Sequence, residues 1–137
     1  MISIILVTHG KMAAGIRDAA EIIFGSQTNL YTVSYTPNIG PTELEEEVKA
    51  TIKLCPTENQ ILFIADIFGG SPYNIAATLV AEDPNKRALI SGLNLSMLLE
   101  AFSGRLTYHD VNQLTNYLVK ISRSAIKKYD PNIQIKM

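Results

Sequence analysis

Apolar and polar positions follow two rhythms along the chain. Ile2 to Val7 and Ile61 to Ala65 are almost unbroken apolar runs rich in β-branched residues, the pattern of strands buried on both faces of a parallel sheet. Ala88-Leu89-Ile90-Ser91 makes a shorter strand, and Leu30 to Tyr35 sets Tyr31, Val33 and Tyr35 against Thr32 and Ser34, the period of a half-exposed strand at or near an edge. Helical spacing fills the intervals. Met12, Ile16, Ala20, Ile23 and Phe24 predict a first helix stopped at Gly25. Leu44, Val48 and Ile52 predict a second, opened by capping-box spacing at Thr42-Glu43-Leu44-Glu45 and ended by Pro56. Ser71 and Pro72 predict the N-cap and first residue of a third, running to about Ala81. Leu95, Leu98, Leu99 and Phe102 make a short fourth helix. A fifth starts at Asp110-Val111-Asn112-Gln113 and runs to about Lys128, with Leu114, Leu118, Ile121 and Ala125 on one face. Asn132 to Met137 alternates once more, Ile133, Ile135 and Met137 against Asn132, Gln134 and Lys136, as a last strand.

Strand and helix alternate without repeat, linker or low-complexity stretch, which predicts a three-layer α/β/α open sheet in one domain spanning residues 1–137. With the two most apolar strands adjacent in the centre and the alternating second strand outside the first, the four parallel strands take the order 2-1-3-4. Two helices in succession follow the fourth strand, so the terminal strand is expected to run antiparallel, and only a sheet edge can accept it. Asp130-Pro131 makes a stiff hinge before that strand, and a second copy of the chain can supply the same edge, giving a homodimer by exchange.

Composition narrows the function. Hydrophobic residues make up 47% and charged residues 18% of the 137 positions, the profile of a globular domain rather than a disordered one. A formal net charge of −1 leaves no basic field for a nucleic-acid backbone. The single cysteine, Cys55, cannot form an internal disulfide, and Met1-Ile2-Ser3 does not begin a secretory signal, so a cytoplasmic location is expected. No apolar run approaches the roughly 20 residues that span a bilayer, so membrane association must go through a partner.

Ligands of open α/β sheets bind beyond the carboxyl ends of the strands where the strand order reverses. Here that point lies between the first and third strands, and His9 and Asp66 follow the last apolar residues of those two. A carboxylate that accepts a hydrogen bond from one ring N–H fixes the imidazole tautomer and leaves the other nitrogen's lone pair free as a nucleophile. A strand-end histidine can equally cap a helix or satisfy a carbonyl, and Gly-Gly-Ser-Pro can equally be an ordinary loop-to-helix turn. The combination favours chemistry. Gly69-Gly70 lets backbone approach a ligand, and the helix start at Ser71-Pro72 presents free N–H groups and a positive dipole end to an anion. His109 reads as a solvated residue before the fifth helix, Cys55 as an inert thiol beside Pro56, Glu43 to Glu47 as a solvated first turn, and Lys11 as an exposed lysine able to steer an acidic partner.

At Thr8-His9-Gly10 and Asp66-Ile67-Phe68-Gly69-Gly70-Ser71-Pro72-Tyr73-Asn74 the chain resembles the mannose-type enzyme IIA family of the sugar phosphotransferase system (PTS). The likeness extends over Ala13, Gly15 and Ile22-Ile23-Phe24-Gly25 and over Gly92 to Glu100. It implies a phosphocarrier with phosphotransferase activity. His9 would take a phosphoryl group on Nε2 from the phosphohistidine of the carrier protein HPr and pass it to an enzyme IIB component, with Asp66 on the other ring nitrogen and Ser71 and nearby amides holding the phosphoryl oxygens. The family commonly has a hydroxyl or aromatic residue where this chain has Ile67. The resemblance implies no cofactor or metal, because the donor is a protein phosphoramidate, and the Walker-type Gly-rich loop with Lys-Ser or Lys-Thr is absent from the sequence. It also implies the strand-exchanged homodimer. An enzyme IIA component does not contact sugar, so mannose, fructose, sorbose, an amino sugar and gluconate all stay open. A rival reading is the phospho-accepting subunit of a dihydroxyacetone kinase or a sugar-responsive regulator, whose domains differ at the second motif. A flavodoxin-like binding module is disfavoured, because Thr8-His9-Gly10-Lys11 is too short for a phosphate loop.

Overall fold

The computed structural model describes residues 1–133. Four strands, β1 (Ile2–His9), β2 (Leu30–Tyr35), β3 (Gln60–Ala65) and β4 (Arg87–Ser91), form one parallel sheet in the order β2-β1-β3-β4. Five helices connect and follow them: α1 (Met12–Phe24), α2 (Pro41–Leu54), α3 (Gly70–Glu82), α4 (Leu95–Gly104) and α5 (Val111–Arg123).

The sheet separates two apolar cores, and the period of two along each strand sorts residues between them. Ile2, Ile4 and Leu6 of β1 join Leu62 and Ile64 of β3 and Ala88 and Ile90 of β4 against α1, α4 and α5. Ile5 and Val7 join Val33, Ile61 and Phe63 against Leu44 and Val48 of α2 and Ala76 and Leu79 of α3. Covering both faces is what makes β1 and β3 read as continuous apolar runs.

Several helix ends depart from expectation. Thr42 and Glu45 form no capping box: α2 begins two residues earlier, with Gly40 as N-cap and Pro41 at its first residue, and no side chain caps it. Ser71 is not an N-cap either. Gly69 holds that place at φ +77°, followed by Gly70 at φ +83°, backbone that residues with a Cβ rarely adopt. Pro72 therefore stands third in the helix, still among the positions whose N–H has no intrahelical acceptor. On α1 the buried residues are Ala13 and Ala20, with Ile16 partly buried beside them; Met12, Ile23 and Phe24 are exposed. Two alanines let the helix lie close to the sheet, and the larger residues are displaced to its flanks.

The fifth helix ends at Arg123 and not near Lys128. Its buried face runs through Val111, Leu114, Leu118 and Ser122, after which Ser124 Oγ donates to Ile121 O at 2.7 Å, competing for helical backbone. Ile126 and Tyr129 beyond it are exposed, so nothing buried draws the helix on. Asp110 caps the start as expected, its carboxylate accepting from Gln113 N–H at 2.9 Å. The expected antiparallel strand over Asn132 to Met137 lies for the most part outside the described residues; Pro131 to Ile133 form a turn in which Ile133 N–H donates to Asp130 O at 3.1 Å.

Candidate functional site

The switch point between β1 and β3 brings together residues 57 positions apart in the chain. His9 is the last residue of β1, and Asp66 immediately follows β3. One carboxylate oxygen, Asp66 Oδ2, accepts from both ends of His9: the backbone N–H at 3.0 Å and ring Nδ1–H at 2.8 Å. The backbone contact locks the relative position of the two residues, so the ring contact is met without a search through rotamers. Asp66 is only 10% exposed and His9 47% exposed, which leaves the carboxylate screened and the far edge of the imidazole in solvent.

Burial alone would raise the Asp66 carboxyl. The hydrogen bonds from His9 N–H and the His9 ring, the attraction of that ring and the Ile67 N–H together outweigh it and hold the group below its usual value. The Ile67 N–H contributes without completing a bond, because Asp66 Oδ1 is buried and has no hydrogen-bond partner among the described residues.

The turn that follows Asp66 brings Gly70 beside the imidazole. A Cβ placed on Gly70 would stand 3.4 Å from His9 Cε1, 3.9 Å from Nε2 and 3.8 Å from Ile67 Cδ1. Gly70 therefore stands beside the free edge of the ring, at the amino end of α3, where no side chain caps the helix. The first N–H groups of a helix lack intrahelical acceptors, and its amino end carries the positive end of the dipole. Ser71 occupies the next position, partly exposed. All five expected residues, His9, Asp66, Gly69, Gly70 and Ser71, therefore converge on one end of the sheet.

Two residues outside the expected set complete the surroundings. Thr8, fully buried, accepts from Ala13 N–H through Oγ1 at 2.9 Å. It caps α1 from the strand, in place of Lys11, whose side chain caps nothing. Its position five residues before a buried helical alanine is a sequence signal that could have been read. Tyr35, the register partner of His9 across β1 and β2, sets its ring 5.7 Å from the imidazole at 62°; only the strand pairing brings it there. His109 is exposed before α5. Cys55 is buried, with burial raising its thiol above the ordinary value and its Sγ donating to Thr51 O at 3.5 Å. Among the described residues no three of His, Cys, Asp and Glu gather closely enough to hold a metal ion.

Fold and site together define an open α/β protein whose switch point presents an oriented, half-exposed histidine beside the amino end of a helix. The family model of the PTS fructose IIA component (EIIA-man) matches residues 3–118. The fructose-specific EIIA component of Bacillus subtilis is 35% identical over 127 residues, covering 93% of this chain and 86% of that protein. The mannose-specific EIIAB component of Escherichia coli is 30% identical over 126 residues; the alignment takes in 92% of this chain but 39% of that longer protein. Among solved structures, the mannose/sorbose-specific IIA subunit from Enterococcus faecalis superposes with a TM-score of 0.86 at 29% identity, covering 96% of this chain and 98% of that one. The chain belongs to the mannose-type enzyme IIA family of the sugar phosphotransferase system, and its role is that of a phosphocarrier in sugar transport.

Proposed function

We propose that His9 is the residue that carries the phosphoryl group, taking it from the phosphohistidine of HPr and passing it to a histidine or cysteine of an enzyme IIB component. The observation that carries this reading is the 2.8 Å contact between His9 Nδ1 and Asp66 Oδ2, which commits Nδ1 to a proton and leaves the lone pair on Nε2. In the first transfer that pair forms the bond to phosphorus while the donor's P–N bond breaks and its electrons return to the donor ring. In the second, the acceptor attacks phosphorus and the P–Nε2 bond breaks. Asp66 stabilises the cationic ring in the phosphorylated state, and amides of Gly69, Gly70 and Ser71 meet the negative charge spread over the equatorial oxygens.

Both transfers need a partner atom within a few ångströms of Nε2, so whatever surrounds His9 lies in the interface. Ile67 is 55% and Phe68 81% exposed, and Phe68 rests against Tyr73 with ring centroids 4.9 Å apart. These apolar groups are the docking rim. The transfers take place in the cytoplasm, and contact with the membrane is made through the transporter. A homodimer forms when the terminal strand of each copy pairs with the open β4 edge of the other; deletion of residues 131 to 137 should then give monomer or aggregate by light scattering, and an unchanged dimer would refute the exchange.

Incubation with enzyme I, HPr and labelled phosphoenolpyruvate should introduce one acid-labile phosphoryl group, lost in His9→Ala and retained in His109→Ala. Labelling that survives His9→Ala would sink the assignment.

A further inference from the structure

The hydrogen bond to Asp66 fixes one point of the His9 ring, and a half-exposed side chain has little core to damp a residual swing about Cβ–Cγ. Phosphoryl transfer depends on the direction of the Nε2 lone pair, so something must limit the swing. Gly70 backbone borders the Cε1 and Nε2 edge. It has no side chain to bear on the ring. Tyr35 offers an aromatic ring beside the imidazole.

Tyr35 is held from two sides. Its carbonyl accepts from Gly10 N–H at 2.8 Å, which ties the end of β2 to the turn after His9, and its partly buried side chain packs against the core of Val33, Leu44 and their neighbours on the α2 and α3 face. From that anchored position the ring meets the imidazole at 5.7 Å and 62°, within the range of favourable edge-to-face aromatic pairs.

We infer that Tyr35 is a positioning residue for His9: its ring confines the imidazole so that Nδ1–H stays on Asp66 and Nε2 stays toward the start of α3. The inference rests on the phosphocarrier reading for its consequence but not for its geometry. While Nε2 bonds to phosphorus and the donor nitrogen takes back its electron pair, the Nδ1 proton remains between ring and carboxylate, and Tyr35 keeps that pair in line. The contact is made by the aromatic ring, so the hydroxyl is dispensable.

The test compares Tyr35→Phe and Tyr35→Leu by two readouts. Two-bond proton–nitrogen spectra of the unphosphorylated, nitrogen-15-labelled protein report which ring nitrogen of His9 carries the proton; steady-state transfer from phospho-HPr separates kcat from KM. Tyr35→Phe should keep the Nδ1–H tautomer and transfer within about twofold of the parent. Tyr35→Leu should show a mixture of tautomers and a kcat lower by about fivefold with KM unchanged, the factor expected from losing one aromatic contact. Tyr35→Met, also non-aromatic, replaces the leucine variant if that one fails to fold. A non-aromatic variant with the parent's tautomer and rate would overturn the inference, as would Tyr35→Phe falling as far as Tyr35→Leu. If the parent protein accepts no phosphate, the phosphocarrier assignment of His9 fails, and the spectra still decide whether Tyr35 orients the ring.

Discussion

The two ends of the sheet treat an ionisable side chain in opposite ways. At the carboxyl ends of the strands His9 is half exposed and bound to one buried carboxylate. At the amino ends Arg105, at the C-terminus of α4, is 3% exposed and has four hydrogen bonds, to Ile2 O, Asn29 O, Gln27 Oε1 and Thr28 O, at 2.8 to 3.1 Å. Its guanidinium also lies 6.0 Å from the Phe102 ring centroid. Burial lowers it from its ordinary value, yet the acceptors are all neutral, so the charge is held by dipoles alone. The planar fork fastens the loop entering β2 to the first residue of β1. One end of the sheet thus uses its polar groups to close the fold, and the other leaves the second ring nitrogen of a half-exposed histidine without a hydrogen bond among the described residues.

Removing the clasp should have the largest effect. Arg105→Met removes all four of these hydrogen bonds, although Asn29 O keeps the donor Ile4 N–H, and unfolding free energy measured in urea should fall by about 3 kcal/mol while the folded fraction keeps its activity. A stability within about 0.5 kcal/mol of the parent would mean that solvent reaches those carbonyls freely.

Asp66→Asn acts at the other end and should spare the fold. Transfer should slow by about 10- to 100-fold, because the amide cannot stabilise a cationic ring and can offer it a donor where an acceptor is needed; an unaltered rate would make Asp66 structural. The same variant tests the acid limb of stability. The folded Asp66 carboxyl lies below its unfolded value of about 3.9, so its contribution is complete above that pH and is lost as pH falls through the folded value. Acid titration of the parent should therefore include a loss of stability below about pH 4 that Asp66→Asn lacks.

The smallest expected effect separates docking from chemistry. Phe68→Ala removes an exposed ring and should raise KM for phospho-HPr by about three- to tenfold, leaving phosphorylation by the small donor phosphoramidate unchanged. Equal losses with both donors would place Phe68 in the transfer step rather than on the rim.

Much of the sheet could be read from pattern. The strand order follows from β1 and β3 being apolar on both faces and β2 being apolar on one, and His9 and Asp66 stand out because each ends a central apolar run. Helix ends were harder to read. Thr42 and Ser71 have the composition of N-caps, but Gly40 and Gly69 take those places, since a helix starts where the backbone can enter its first turn and a side-chain oxygen is only one way to satisfy the end. The length of α5 was overestimated because spacing continues to Ala125 and Lys128 after the core against which it packs has ended.

Sequence alone determined the class of fold, the order of its strands, and the placing of His9, Asp66 and the Gly69-Gly70 turn at its switch point, because period-two and helical spacing and the residues at strand ends are local properties. Tertiary structure decided the rest. Tyr35 reaches His9 only through the register of β1 on β2, and Arg105 reaches the carbonyls of residues 2, 28 and 29 only after α4 has crossed the sheet. Neither contact leaves a mark on nearby sequence, since a side chain 26 or more positions away in the chain is placed by packing and not by propensity.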